Sequence, residues 1–110
     1  MNFRQIDDDV AVAGQISRAD IPAIAAAGFR SIVCNRPDHE EYGQPTFAEI
    51  AEAAKEAGLS IEFVPVRSSA MTIDDVEKMA AVLKTAQRPM LAYCRSGARS
   101  ANLYGYAKSR

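Results

Sequence analysis

The stretch LAYCRSGARSANLYGY, residues 91–106, changes character twice. It begins as a short apolar run of the kind that fills a buried strand, and Cys94 closes that run. Arg95, Ser96, Gly97, Ala98, Arg99 and Ser100 follow as a loop of small and basic residues, after which helical spacing takes over. A strand that turns through a glycine-containing loop into a helix is the building piece of α/β proteins.

The rest of the chain alternates in the same way. Residues 2–6 and 10–13, separated by Asp7, Asp8 and Asp9, read as a hairpin. Ser17 with Asp20 three residues on caps a helix that ends near Gly28, and residues 29–33 form a buried strand. A long loop, residues 35–45, leads to a helix over 46–57, with Thr46 as its cap and Phe47, Ile50, Ala51 and Ala54 on one face. Residues 61–66 are the next strand. Thr72 and Asp75 then cap a helix running to about Ala86, with Ile73, Val76, Ala80 and Leu83 inward. Residues 89–93 make the last strand, and the final helix starts around Arg99. This alternation predicts a single α/β domain over residues 1–110, a three-layer α/β/α arrangement around a central, mainly parallel sheet. Ligands in such sheets sit beyond the carboxyl ends of the strands, where the loops 34–45, 67–71 and 94–99 converge.

With 13 basic and 14 acidic side chains in 110 residues, the net charge of −1 gives no overall field for nucleic acid or an anionic membrane surface. Any anion site must be local. Two cysteines, Cys34 and Cys94, are too few for a disulfide framework and lack the Cys/His spacing of zinc sites. The N-terminus has no apolar leader and no run approaches membrane-spanning length, so a soluble cytoplasmic protein without metal or organic cofactor is expected.

A free cysteine, with a pKa of about 8.5, becomes nucleophilic when a helix N-terminus and nearby cations stabilise its thiolate. Cys94 precedes a helix start and is flanked by Arg95 and Arg99, while Ser96, Gly97 and Ala98 are small enough for backbone amides to curl round an anion. The loop from Cys94 to Ser100 resembles the active-site loop of rhodanese sulfurtransferases. The wider chain, including NRPDHEEYGQPTFAEI at residues 35–50, is similar to the phosphatase-like domain of the β-lactamase-hydrolase-like proteins, which have cysteine-phosphatase architecture. That resemblance covers essentially the whole chain. It implies that fold and a partner, because members of the group are fused to a persulfide dioxygenase domain; a fused or neighbouring dioxygenase is therefore expected.

The two resemblances differ over the reaction. Cysteine phosphatases use His-Cys, five residues, then Arg; here Tyr93 replaces the histidine, Ser100 stands where the arginine should be, and Arg99 comes one residue early. A shorter cradle suits a small sulfur-containing anion or a persulfide. Dual-specificity phosphatases also carry an aspartate about thirty residues before the cysteine as proton donor. Arg67, Ser68 and Ser69 hold those positions here, and sulfur transfer needs no such donor. The expectation is a sulfurtransferase: Cys94 takes sulfane sulfur from thiosulfate or a persulfide, held by Arg99, Arg95 and the loop amides, and passes it to a thiol, sulfite or cyanide. The alternatives are a phosphatase acting through phospho-Cys94 and a persulfide-carrying or anion-binding domain without turnover.

Arg36 beside Pro37 and Arg67 after its strand are further anion-binding candidates. Asp38, Glu40 and Glu41 read as solvated, with Asp38 the stand-in acid for a phosphatase. Cys34 reads as a small buried hydrophobe, although its strand end also allows a resolving role or a disulfide with Cys94. The lone His39 reads as exposed, and at least one of Tyr104 and Tyr106 should pack.

Overall fold

A computed structural model describes residues 2–110. Its five strands are β1 (Phe3–Asp7), β2 (Val10–Ala13), β3 (Ser31–Cys34), β4 (Ser60–Phe63) and β5 (Met90–Tyr93), arranged in the order β1-β2-β5-β3-β4. Only β1 runs antiparallel, as the first arm of the expected hairpin; β2, β5, β3 and β4 are parallel. The helices are α1 (Ile21–Ala26), extended at its start by a short 3-10 turn, α2 (Phe47–Glu56), α3 (Ile73–Thr85) and α4 (Ala98–Ala107). The capping signals act as the sequence implies. Thr46 Oγ1 accepts from the Glu49 amide, and Thr72 and Asp75 satisfy each other's backbone amides.

Alternation along the central strands divides the core into two layers. Ala11, Ala13, Ile32, Cys34, Leu91 and Tyr93 pack toward α1 and α2 around Ile21, Ile24 and Ile50. Val10, Val12, Val33, Met90 and Ala92 pack toward α3 and α4 around Val76, Met79 and Leu103. A one-residue slip of β5 would exchange these two sets, and fully burying a side chain such as Leu91 or Met90 contributes about 1.5–3 kcal/mol. The register of β5 is therefore held from both sides. Since Tyr93 belongs to the α1/α2 layer, the next residue, Cys94, emerges on the α3/α4 side at the carboxyl edge.

Two details depart from the sequence reading, and the tyrosine expectation holds. Ile73 is 63% exposed, because α3 turns Val76, Met79 and Ala80 inward and leaves its first residue beyond the sheet edge. β4 ends at Phe63, although Val64 and Val66 still donate to the Cys34 and Asn35 carbonyls. Of the two late tyrosines, Tyr104 is buried, with its hydroxyl on Asp7, whereas Tyr106 is exposed. No helix among the described residues is long and apolar enough to cross a membrane.

Candidate active site

The turn after β5 is shaped by close approach to β2. Gly97, the residue before α4, has φ 94°, and a Cβ there would meet the Ala13 backbone at 3.4 Å. Gly14 lies beneath Arg95, where a Cβ would come within 2.9 Å of the Arg95 carbonyl oxygen. That carbonyl accepts from the Gln15 amide. The two glycines let the loop fold back on itself, so that the Gly97 amide donates to Cys94 Sγ at 3.1 Å.

Cys94 is fully buried. Burial opposes its ionisation, but the amides of Ser100, Ser96 and Gly97, together with the Ser100 hydroxyl, outweigh that and lower its pKa below the ordinary 9.0. Ser100 Oγ lies 2.8 Å from Asn35 Oδ1, while Asn35 Nδ2 donates to the Val64 carbonyl and fixes which end of the amide faces Ser100. The single hydroxyl hydrogen thus has two acceptors. With a neutral thiol it serves Asn35; a thiolate, the stronger acceptor, draws it to sulfur. Ser100→Ala should accordingly raise the Cys94 pKa, read as a shift to higher pH in the rate of iodoacetamide alkylation. An unmoved profile would assign the activation to the amides alone.

Cys34 behaves differently. Burial raises its pKa, Tyr93 hydrogen-bonds to it, and its thiol donates to the Arg36 carbonyl. Both cysteines are free. Cys34 shares the α1/α2 layer with Tyr93, so a buried packing role suits it, and the two thiols are unpaired. Tyr93, in the position of a phosphatase histidine, is core, and burial pushes its hydroxyl pKa far above the ordinary value.

Beside the loop that follows Cys94 lies a cleft of about 270 Å³ lined by Arg36, Glu40, Ser68, Arg95 and Arg99. All three expected loops contribute to it. Arg99 donates from Nη1 to Glu40 Oε2 at 2.8 Å and to the Val66 carbonyl at 2.8 Å, and from Nη2 to Glu40 Oε1 at 2.9 Å. Arg36, with only 3% of its side chain exposed, gives Nε to Glu40 at 2.8 Å, Nη2 to Glu41 at 3.1 Å and Nη1 to Gln15 Oε1 at 3.0 Å. Between the two guanidinium groups the Glu40 carboxyl is held down at about 2, Arg99 being the stronger influence and burial opposing both. Arg95 is mostly exposed on the rim, with Nη2 3.6 Å from Glu41.

Several candidates stand elsewhere than expected. Asp38 accepts from the Phe47 amide and so serves the start of α2 instead of the cleft. Arg67 is exposed and absent from the cleft lining, its carbonyl closing a turn with Ala70, while neighbouring Ser68 faces the site. The Ser96 side chain faces outward and accepts from the Ala98 amide, which is thereby turned from the sulfur; the Ser96 amide faces the sulfur. His39 is exposed, at a left-handed turn with φ 63°. Glu40, expected in solvent, is drawn in because a buried guanidinium requires acceptors, while Glu41 stays half exposed and reaches Arg36 from the rim. Their position four and five residues beyond Arg36 was the available signal. Gln15 and Asn35 carried none, because strand order brings them in.

Comparison with known proteins agrees with this architecture. A candidate phosphatase of Neisseria meningitidis Z2491 superposes with a TM-score of 0.90 at 35% sequence identity, over 99% of this chain and 78% of its own. The core catalytic domain of the PP-IP phosphatase SIW14 from S. cerevisiae gives a TM-score of 0.73 at 21% identity, over 96% of this chain and 63% of its own, a likeness of fold. Among curated proteins, the beta-lactamase hydrolase-like protein of Agrobacterium fabrum is 37% identical over 104 residues, 94% of this chain and 24% of its own length. The corresponding protein of Xylella fastidiosa is 33% identical over 108 residues, 98% of this chain and 25% of its own, so the chain spans about a quarter of these relatives. Residues 2–110 match the family described as the phosphatase-like domain of beta-lactamase hydrolase-like proteins, and the chain belongs to that family.

Proposed function

We propose that this domain is a cysteine-dependent phosphatase in which Cys94 attacks a phosphate monoester and carries the phosphoryl group. The observation that carries this reading is a buried cysteine whose pKa is lowered by the amides of Ser100, Ser96 and Gly97, with Arg99 close enough to feel its charge and lining the adjoining cleft, where it can bind the phosphoryl oxygens. The family match and the candidate phosphatase of Neisseria at 35% identity support phosphorus over sulfur. The sulfurtransferase expectation rested partly on a missing proton donor. That argument weakens once Glu40, a carboxylate, is found in the cleft lining.

In the first step Sγ bonds to phosphorus and the ester P–O bond breaks, its electron pair leaving on the alcohol or phenol oxygen. Arg99 meets the equatorial oxygens with the fork it otherwise gives to Glu40. Water then attacks phosphorus, the P–S bond breaks, and inorganic phosphate and the Cys94 thiolate are released. Two free cysteines, one of them the reacting group, support a reducing cytoplasmic setting.

The test compares initial rates on two substrates. Purified domain should release inorganic phosphate from an aryl phosphate at many turnovers per enzyme, and should form little thiocyanate from thiosulfate and cyanide. Thiocyanate turnover without phosphate release would restore sulfur transfer.

A further inference from the structure

Glu40 occupies the Arg99 fork that a phosphoryl group would take under the phosphatase reading. Both of its oxygens are bound by Arg99, and Oε1 also accepts from Arg36 Nε. A substrate phosphate cannot take the Arg99 fork while the carboxylate holds it. Nor does the carboxylate drift away when displaced, because Arg36 is anchored from three sides by Glu40, Glu41 and Gln15 and keeps its Nε directed at Glu40.

From this exchange we infer that Glu40 is a built-in phosphate surrogate that becomes the proton donor to the leaving group when substrate displaces it from Arg99. The inference rests on the phosphatase reading above. Substrate enters as the phosphate monoanion. As Arg99 transfers its two hydrogen bonds from Glu40 to the phosphate, Glu40 loses its stronger cation and gains a neighbouring anion, both of which favour the carboxylic acid. The proton of the monoanion passes to Glu40, leaving total charge unchanged. When the P–O bond breaks, that proton goes to the departing oxygen, and Glu40, a carboxylate again, takes a proton from the water that attacks the Cys94 phosphoryl group. Glu40 hands that proton to the phosphate, which leaves as the monoanion, and returns to Arg99 as a carboxylate. The charged groups bound to it are Arg36 and Arg99; Arg36 also binds Glu41, which lies 3.6 Å from Arg95, and Arg99 feels the charge of Cys94. The donor thus comes from the loop after β3, whereas the loop after β4, where a phosphatase aspartate is expected, supplies only Ser68 to the cleft.

The experiment is a leaving-group comparison on Glu40→Gln. A nitrophenyl phosphate expels a stable phenolate and needs little protonation; an alkyl phosphate needs a full proton. Glu40→Gln should lower kcat on the alkyl phosphate about 100-fold or more and on the nitrophenyl phosphate by less than about fivefold. The two rates come from one preparation, so any loss of folded protein cancels in their ratio. Equal losses on both substrates, or no loss on either, would overturn the proposal and leave Glu40 a structural partner of Arg36. A parallel Cys94→Ser preparation separates the two ideas: undiminished nitrophenyl phosphate turnover there would mean that the phosphatase reading itself is wrong.

Discussion

Cys94→Ser is expected to abolish turnover of phosphate esters, with a fall in kcat on the order of 10⁴-fold or more. Serine is close in size to cysteine and can accept from the same Gly97 amide, so the buried loop and α4 should keep their places. A hydroxyl, however, is not ionised by three amides and a neighbouring hydroxyl, and it leaves phosphorus poorly in the second step. Unchanged circular dichroism and thermal unfolding alongside lost activity would assign the effect to chemistry. Retained activity would remove Cys94 from the mechanism altogether.

Arg99→Ala is expected to lower kcat/KM about 10²- to 10³-fold, the usual consequence of removing one donor to transition-state charge. It should also cost stability, about 1–3 kcal/mol at neutral pH, because the Val66 carbonyl loses its Arg99 partner and Glu40 keeps only Arg36, while the Glu40 side chain is 24% exposed and so partly rescued by water. The pH dependence follows from the lowered Glu40 pKa. Stability contributed by an ionised Glu40 is fully present above its ordinary 4.5 and is lost as pH falls toward about 2. The stability gap between wild type and variant should therefore be constant above about pH 5 and narrow through that acid window, as denaturant titrations at several pH values would record. Arg99→Lys keeps a charge but cannot bridge two oxygens, and should fall between wild type and alanine in rate.

The fold could be read from the sequence because its signals are local. Thr46 with Glu49 and Thr72 with Asp75 announce helix starts within a single turn, and the Leu91–Tyr93 part of β5 is apolar because helices cover both faces of the sheet. Gly97 likewise announces the tight loop that directs an amide at Cys94. The cleft was less legible because its partners meet only through strand order. Gln15 reaches Arg36 because β2 and β3 flank β5, a relation that neither local sequence displays. Glu40 looked like a solvated charge because nothing near it in sequence reveals that Arg99, 59 residues later, bonds to its carboxylate. The preference for sulfur rests on the one-residue shift of Arg99 and on the missing carboxylate at Arg67, Ser68 and Ser69. Despite that shift, Arg99 lines the cleft, and Glu40 supplies a carboxylate there.

The most direct measurement is to trap the covalent intermediate. Wild-type protein mixed with a nitrophenyl phosphate and quenched in acid within the first turnovers should carry a phosphoryl group on the peptide containing Cys94, located by tandem mass spectrometry and missing from Cys94→Ser. If instead that peptide acquires one sulfur atom from thiosulfate, surrenders it to cyanide on every cycle and never gains a phosphoryl group, the phosphatase account is contradicted.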